Sequence, residues 1–279
     1  MQQAIGFMRT SLSGIYPHGE VEGFIRLIFE KLCGYATTQL LLCRDSELSS
    51  DVVQQIEHIT QRLLAQEPIQ YILGEAYFGE LCMSVGPGVL IPRPETAEIV
   101  QRIIARQGDV QGRVADLCTG SGCIAIALSL AWKNAQVEGW DISPQALAYA
   151  RRNAESHGVD VMWRECDVLQ YEPSQPRYEV MVSNPPYIMD SERVTMDDNV
   201  LLYEPHTALF VADDTPLLFY NAIADIAMQE LLPGGALYFE INSAMGDACS
   251  KMLKEKGFEQ VEVYRDYLEA NRMLRCVKV

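Results

Sequence analysis

The chain has 279 residues, 48% hydrophobic and 22% charged, enough to bury a sizeable core in one large or two unequal domains. Its 22 Lys and Arg face 38 Asp and Glu, a net charge of −16 that would repel a phosphate backbone, and no basic tail is visible. No apolar stretch approaches a membrane span, and Met1–Thr10 lacks the basic start and apolar core of a targeting signal.

The eight cysteines (33, 43, 82, 118, 123, 166, 249 and 276) are scattered, several of them inside apolar runs. They read as free thiols in a reducing cytoplasm. Cys118 and Cys123 lie close together, but no second Cys/His pair at zinc spacing joins them, so no metal site is expected.

Residues 1–73 read as helical. Val21, Phe24, Ile25, Ile28, Phe29 and Leu32 recur at three- and four-residue steps and form one apolar stripe. Ser49-Ser50-Asp51 caps a second helix whose buried face is Val52, Val53, Ile56, Ile59, Leu63 and Leu64. This front bundle carries no catalytic constellation, and His18 and His58 have no partner at ligand spacing, so its expected role is contact with a partner.

Residues 74–91 read as a linking hairpin, with Ala76–Val85 and Val89–Ile91 as arms and Gly86-Pro87-Gly88 as the turn. Pro92-Arg93-Pro94-Glu95-Thr96 then opens an amphipathic helix, with Pro94 suited to its first turn. Arg93 and Glu95 could face a ligand there.

Residues 92–279 alternate strand and helix, which predicts a mostly parallel sheet with its ligand at the carboxyl ends of the strands. Strand Val114–Cys118 runs into Thr119-Gly120-Ser121-Gly122 and a helix; glycines there let backbone approach a ligand, and the helix start offers free N–H donors. This loop lacks both the three-glycine dinucleotide spacing and the lysine of a phosphate loop. Asp141 ends the second strand, where a carboxylate can take both hydroxyls of a ribose. Asp167 ends the third and could accept from an adenine amino group. A glycine loop, Asp and Asp on three successive strand ends describe a nucleoside without a diphosphate, which favours S-adenosylmethionine over NAD.

The fourth strand, Tyr178–Val182, ends at Asn184-Pro185-Pro186-Tyr187. Proline cannot donate to a ladder, and the residue before it is pushed to extended backbone, so Asn184 is held in a stiff segment. The Asn184 side-chain oxygen and the Pro185 carbonyl can each accept an N–H from a planar –NH2 group, and Tyr187 offers a flat face to pack on it. A plain Pro-Pro turn is the alternative reading. The long stretch 188–215 shows no periodicity and reads as a structureless connection suited to docking a partner.

Taken together, Asp116–Gly122, Asp141, Asp167 and Asn184–Tyr187 resemble the amino-methylating branch of the class I methyltransferases. Within that branch Pro68–Gly74, Leu90–Thr96 and Tyr203–Leu209 make the chain similar to the release factor glutamine methyltransferases over nearly its whole length. The resemblance implies a Rossmann-like, seven-stranded methyltransferase domain behind a small helical domain. It implies that Cys118–Gly122, Asp141, Asp167, Val168 and Asn184 bind S-adenosylmethionine, with Asn184, Pro185 and Tyr187 catalytic. It also implies that Asn184–Tyr187, Arg93 and Glu204 hold the substrate, the Gly-Gly-Gln glutamine of class 1 release factors.

Cys118 stands where many members carry glycine, a change expected to be harmless at a strand end. Val168 stands where many carry an aromatic, and Leu202 where many carry Arg. A methyltransferase acting on the amino group of adenine or guanine, and a non-catalytic S-adenosylmethionine-binding adaptor, are the alternatives. The acidic composition speaks against the first and the intact Asn184–Tyr187 segment against the second.

Overall fold

The computed structural model describes residues 1–42, 46–173, 175–266 and 269–279; Cys43 lies outside the described residues. The chain forms two compact units, one of Met1–Glu75 with Asp197–Tyr203, the other of Ala76–Met196 with Glu204–Val279.

In the smaller unit, helices α1 (Gln2–Leu12), α2 (His18–Cys33), α3 (Thr37–Leu42), α4 (Ser50–Leu64) and α5 (Ile69–Leu73) follow one another. The stripe on α2 is buried from Val21 to Phe29 and joins Met8 and Leu12 of α1 and Ile56, Ile59 and Leu63 of α4 in one apolar core. Burying side chains of this size contributes about 1.5–3 kcal/mol each. Ser49 caps α4 by accepting from the Val52 N–H, as its sequence position predicts. The Tyr203 hydroxyl donates to the Ala65 carbonyl at 2.6 Å, tying the 197–203 stretch to the end of α4.

Next in the chain is a hairpin of β1 (Glu75–Phe78) and β2 (Leu81–Ser84). Its turn is at Gly79-Glu80, not at Gly86-Pro87-Gly88, and Val89–Ile91 is not a strand. Two causes are visible. Gly79 supplies the positive φ (60°) that a tight hairpin turn requires, and Asn153 occupies the backbone of Ser84, accepting from its N–H at 2.7 Å and donating to its carbonyl at 3.1 Å. The later Gly-Pro-Gly segment is an anchored loop, with Gln145 Nε2 donating to the Pro87 carbonyl at 2.6 Å.

Beyond it come α6 (Pro94–Gln107), β3 (Arg113–Leu117), α7 (Cys123–Ala131), β4 (Gln136–Asp141), α8 (Pro144–His157), β5 (Met162–Glu165) and β6 (Tyr178–Ser183). After β7 (Ile188–Met189), α9 (Asp198–Tyr203) and β8 (Phe210–Val211) follow α10 (Leu218–Glu230), β9 (Leu231–Glu240), α11 (Gly246–Glu255), β10 (Glu259–Arg265) and β11 (Asn271–Val277). The seven-stranded sheet has the order β10-β11-β9-β6-β3-β4-β5, parallel from β9 to β5 and antiparallel at β11 and β10. Val114–Leu117 at its centre is fully buried, as expected where helices cover a parallel sheet.

The 188–215 stretch is structured, contrary to the expectation of a bare connection. β7 and β8 pair in parallel, short 3-10 turns occupy Asp190–Thr195 and His206–Ala208, and α9 lies between them. These pieces are too short for periodicity to reveal. They are set by distant partners, with the Tyr187 and Ile188 N–H groups both bonded to the Leu209 carbonyl and the Arg193 guanidinium over the Phe210 ring.

Candidate active site

Strand order reverses between β3 and β6, since β4 and β5 continue to one side of β3 and β6 and β9 to the other. In open α/β sheets the crevice at such a reversal receives the ligand. A cavity of about 650 Å³ opens there, well within the range of small-molecule sites of about 300–1,000 Å³. Cys118, Thr119, Gly120, Ser121, Asp141, Asp167, Val168, Asn184, Pro186 and Arg93 all line it. Gly122, Pro185, Tyr187 and Glu204 are not among the residues that line it.

The glycine loop is clipped in place from beneath. Asp116, fully buried, accepts from the Thr119 hydroxyl at 2.5 Å and from the Ala125 N–H at 3.1 Å, both on Oδ2. Burial pushes its carboxyl up to about 7, against the pull of those two bonds. Gly122 has φ +81°, and a Cβ there would lie 2.7 Å from the Trp163 ring and 3.2 Å from the Ala150 backbone. Only glycine satisfies both constraints. Gly120 also has positive φ, but a Cβ on it would meet open space.

Cys118 corrects an expectation. It adopts φ +62°, left-handed backbone that costs an L-residue about 1–2 kcal/mol, so a side chain in place of glycine at this turn is not neutral.

Asp141 Oδ2 accepts from the Gly120 N–H at 2.8 Å and Oδ1 from the Ser143 N–H at 2.9 Å. Burial raises the carboxyl, against the pull of the Ser143, Gly120 and Ile142 N–H groups. A paired acceptor of this kind, on the wall of a cavity of this size, fits the diol of a ribose. Asp167 is engaged locally, with Oδ1 accepting from the Leu169 N–H at 2.9 Å and Oδ2 from Gln170 Nε2 at 2.6 Å. Val168 is buried and presents an apolar surface beside it.

At the end of β6, Asn184 Nδ2 donates to Thr96 Oγ1 at 3.4 Å, and that hydroxyl donates to Glu240 Oε2 at 2.6 Å. The Tyr187 hydroxyl donates to the other oxygen, Glu240 Oε1, at 3.1 Å, and burial pushes both groups upward. Residue patterns in the chain did not single out Glu240 or Thr96. The available signal was a carboxylate within the apolar run Tyr238-Phe239-Glu240-Ile241, because a buried charge demands partners. Arg93 Nη2 donates to Glu204 Oε1 at 2.5 Å, and the Ile91 N–H to Glu204 Oε2 at 3.1 Å. Among the described residues, no cluster of His, Cys, Asp and Glu could hold a metal ion, and no helix is long and apolar enough to cross a membrane.

A family model for the methyltransferase small domain matches residues 96–207, and one for the PrmC N-terminal domain matches residues 11–74. The release factor glutamine methyltransferase of Bacteroides thetaiotaomicron is 42% identical over 275 residues, covering 98% of this chain and 99% of the relative. That of Flavobacterium psychrophilum is 38% identical over 269 residues, covering 95% and 94%. Among solved structures, a 16S rRNA methyltransferase of T. thermophilus in complex with AdoMet and guanosine aligns with a TM-score of 0.53 at 18% identity. It covers 71% of this chain and 47% of that one, a likeness of fold.

Proposed function

The chain belongs to the release factor glutamine methyltransferases, and we propose that it methylates the side-chain amide nitrogen of the Gly-Gly-Gln glutamine in class 1 release factors, using S-adenosylmethionine. One observation carries the reading. The polar side chain of Asn184 and the paired acceptor of Asp141 line the same cavity, at the ends of β6 and β4, the two strands that flank β3 and its glycine loop. An amide clamp beside a nucleoside site is what methylation of an amide nitrogen requires.

When bound, S-adenosylmethionine supplies an electrophilic sulfonium methyl group. Asp141 would hold the ribose hydroxyls, Gly120 and Ser121 would let the backbone approach, and Val168 and Asp167 would border the adenine. The substrate nitrogen is a poor nucleophile because its lone pair is delocalised into the carbonyl. Asn184 Oδ1 and the Pro185 carbonyl, by accepting its two N–H bonds, would orient the nitrogen and raise its electron density. Fixing reactants in this way contributes roughly 7–11 kcal/mol in ideal cases. The alkylated nitrogen is acidic and loses its proton to water, so no His or Cys base is required. Tyr187 would pack on the planar amide, and Arg93, held by Glu204, would border the substrate.

We assign release-factor docking to the front helical domain, residues 1–73, because a glutamine amide offers far less surface than the roughly 800 Å² per partner of a stable interface. In this scheme residues 74–91 link that domain to the methyltransferase domain, 92–279. The reading places the protein in the cytoplasm with other translation components. Direct nucleic-acid substrates are disfavoured by the net charge of −16.

Incubation with labelled S-adenosylmethionine and a class 1 release factor tests the proposal. Label is expected on the release factor and not on its Gln→Ala variant at Gly-Gly-Gln. Label on DNA or RNA instead would favour the base-methylating alternative.

A further inference from the structure

Thr96 stands between the buried Glu240 and the Asn184 amide on the cavity wall. A hydroxyl has one proton to give. Burial disfavours the charge on Glu240, but the Thr96 and Tyr187 hydroxyls and the Arg272 charge favour it. Ionised, Glu240 can only accept, taking the Thr96 proton on Oε2 while Tyr187 donates to Oε1. Toward Asn184, Thr96 can therefore act only as an acceptor. The asparagine must turn its NH2 to Thr96, as the 3.4 Å contact from Nδ2 records, and its Oδ1 the other way.

We propose that Glu240 is a positioning residue for methyl transfer: through Thr96 it holds the Asn184 side chain in the orientation that offers Oδ1 to an incoming N–H. This rests on the reading that the methyl acceptor is an amide nitrogen. The three residues come from separate elements, Thr96 from the first turn of α6, Asn184 from the end of β6 and Glu240 from the end of β9. Their chain of bonds converts a carboxylate behind the cavity wall into a defined donor and acceptor pattern at its surface. An isolated asparagine could present either end of its amide.

Glu240→Gln keeps the shape and reverses the chain. With Tyr187 still donating to the glutamine oxygen, the glutamine NH2 faces Thr96, and the threonine proton passes to Asn184 Oδ1. The asparagine then aims its NH2 at the substrate. The expected result is a fall in kcat of about 10²-fold or more, as for loss of one preorganised polar group, with S-adenosylmethionine affinity by calorimetry changed less than about twofold. Thr96→Val should lose turnover similarly, and Thr96→Ser, which restores the hydroxyl, should recover at least about tenfold over Thr96→Val. Turnover of Glu240→Gln within about threefold of wild type would overturn the proposal. If Glu240→Gln does not fold, the Thr96 pair decides, and equal rates for Ser and Val overturn it. Wild-type protein assayed alongside separates the two ideas. No transfer to glutamine by the wild type sinks the functional reading, whereas equal transfer by wild type and variant sinks only the relay.

Discussion

Arg93 Nη2 and Glu204 Oε1 lie 2.5 Å apart across 111 positions of sequence, with the Glu204 carboxylate almost fully buried and its second oxygen bonded to the Ile91 N–H. Both Glu204 oxygens are thus spent on the 91–93 segment. Pro205, Thr207 and Ala208, which follow, line the cavity. The pair holds that wall in place.

Removing one partner of a buried, hydrogen-bonded charge pair typically costs about 3–5 kcal/mol. Arg93 is one-third exposed and can find water once Glu204 is gone, so Glu204→Ala should cost nearer the low end, about 3 kcal/mol. Urea unfolding monitored by circular dichroism measures it. A loss well under about 1 kcal/mol would show that the wall is held by other contacts.

Asp141→Ala removes an acceptor whose charge-assisted bonds are worth about 1.5–3 kcal/mol each. S-adenosylmethionine affinity should fall at least about tenfold in a protein that keeps its circular dichroism spectrum. Calorimetry on the folded variant is the check, and unchanged affinity would take Asp141 out of the binding site.

Cys118 offers a comparison of two small replacements. Glycine is ordinarily less stable than alanine by roughly 0.5–1 kcal/mol because it loses more chain entropy on folding. At φ +62° the order should invert, since alanine keeps the left-handed penalty of about 1–2 kcal/mol and glycine does not. Thermal unfolding should place Cys118→Gly above Cys118→Ala. The ordinary order would mean that the turn relaxes at no cost.

Asp116 makes stability depend on pH. Its carboxyl is raised by burial from the ordinary value of 3.8 to about 7, so between those values the folded state holds a proton that the unfolded chain has released. The contribution is fully present below about pH 4 and is lost as pH rises through about 7. Asp116→Asn keeps an acceptor for Thr119 and Ala125 but cannot titrate. Across pH 4–8 the wild type should therefore lose stability relative to Asp116→Asn as pH rises. Parallel unfolding curves would return Asp116 to an ordinary carboxylate.

Features set by a few neighbouring residues were legible in the sequence. The α2 stripe, the Ser49 cap, the strand–glycine loop–helix at 113–131 and the end of β6 just before Asn184-Pro185-Pro186-Tyr187 all follow from local periodicity, capping and proline sterics. So do the aspartates at the ends of β4 and β5, because alternating strands and helices bring successive strand ends to one edge of the sheet.

Partnership at long range was decided only by the tertiary structure. The hairpin closed at Gly79 because the side chain of Asn153 claimed the backbone of Ser84, 69 positions away. Within the 188–215 stretch, Ile188–Met189 paired with Phe210–Val211 some twenty positions on, and the Asp197–Tyr203 portion joined the N-terminal helices. Thr96 and Glu240, 144 positions apart, meet behind Asn184 because the reversal of strand order places β9 next to β6. A sequence pattern reports which residues must be buried, but which buried polar group satisfies which other depends on how distant elements pack, and no local rule carries that information.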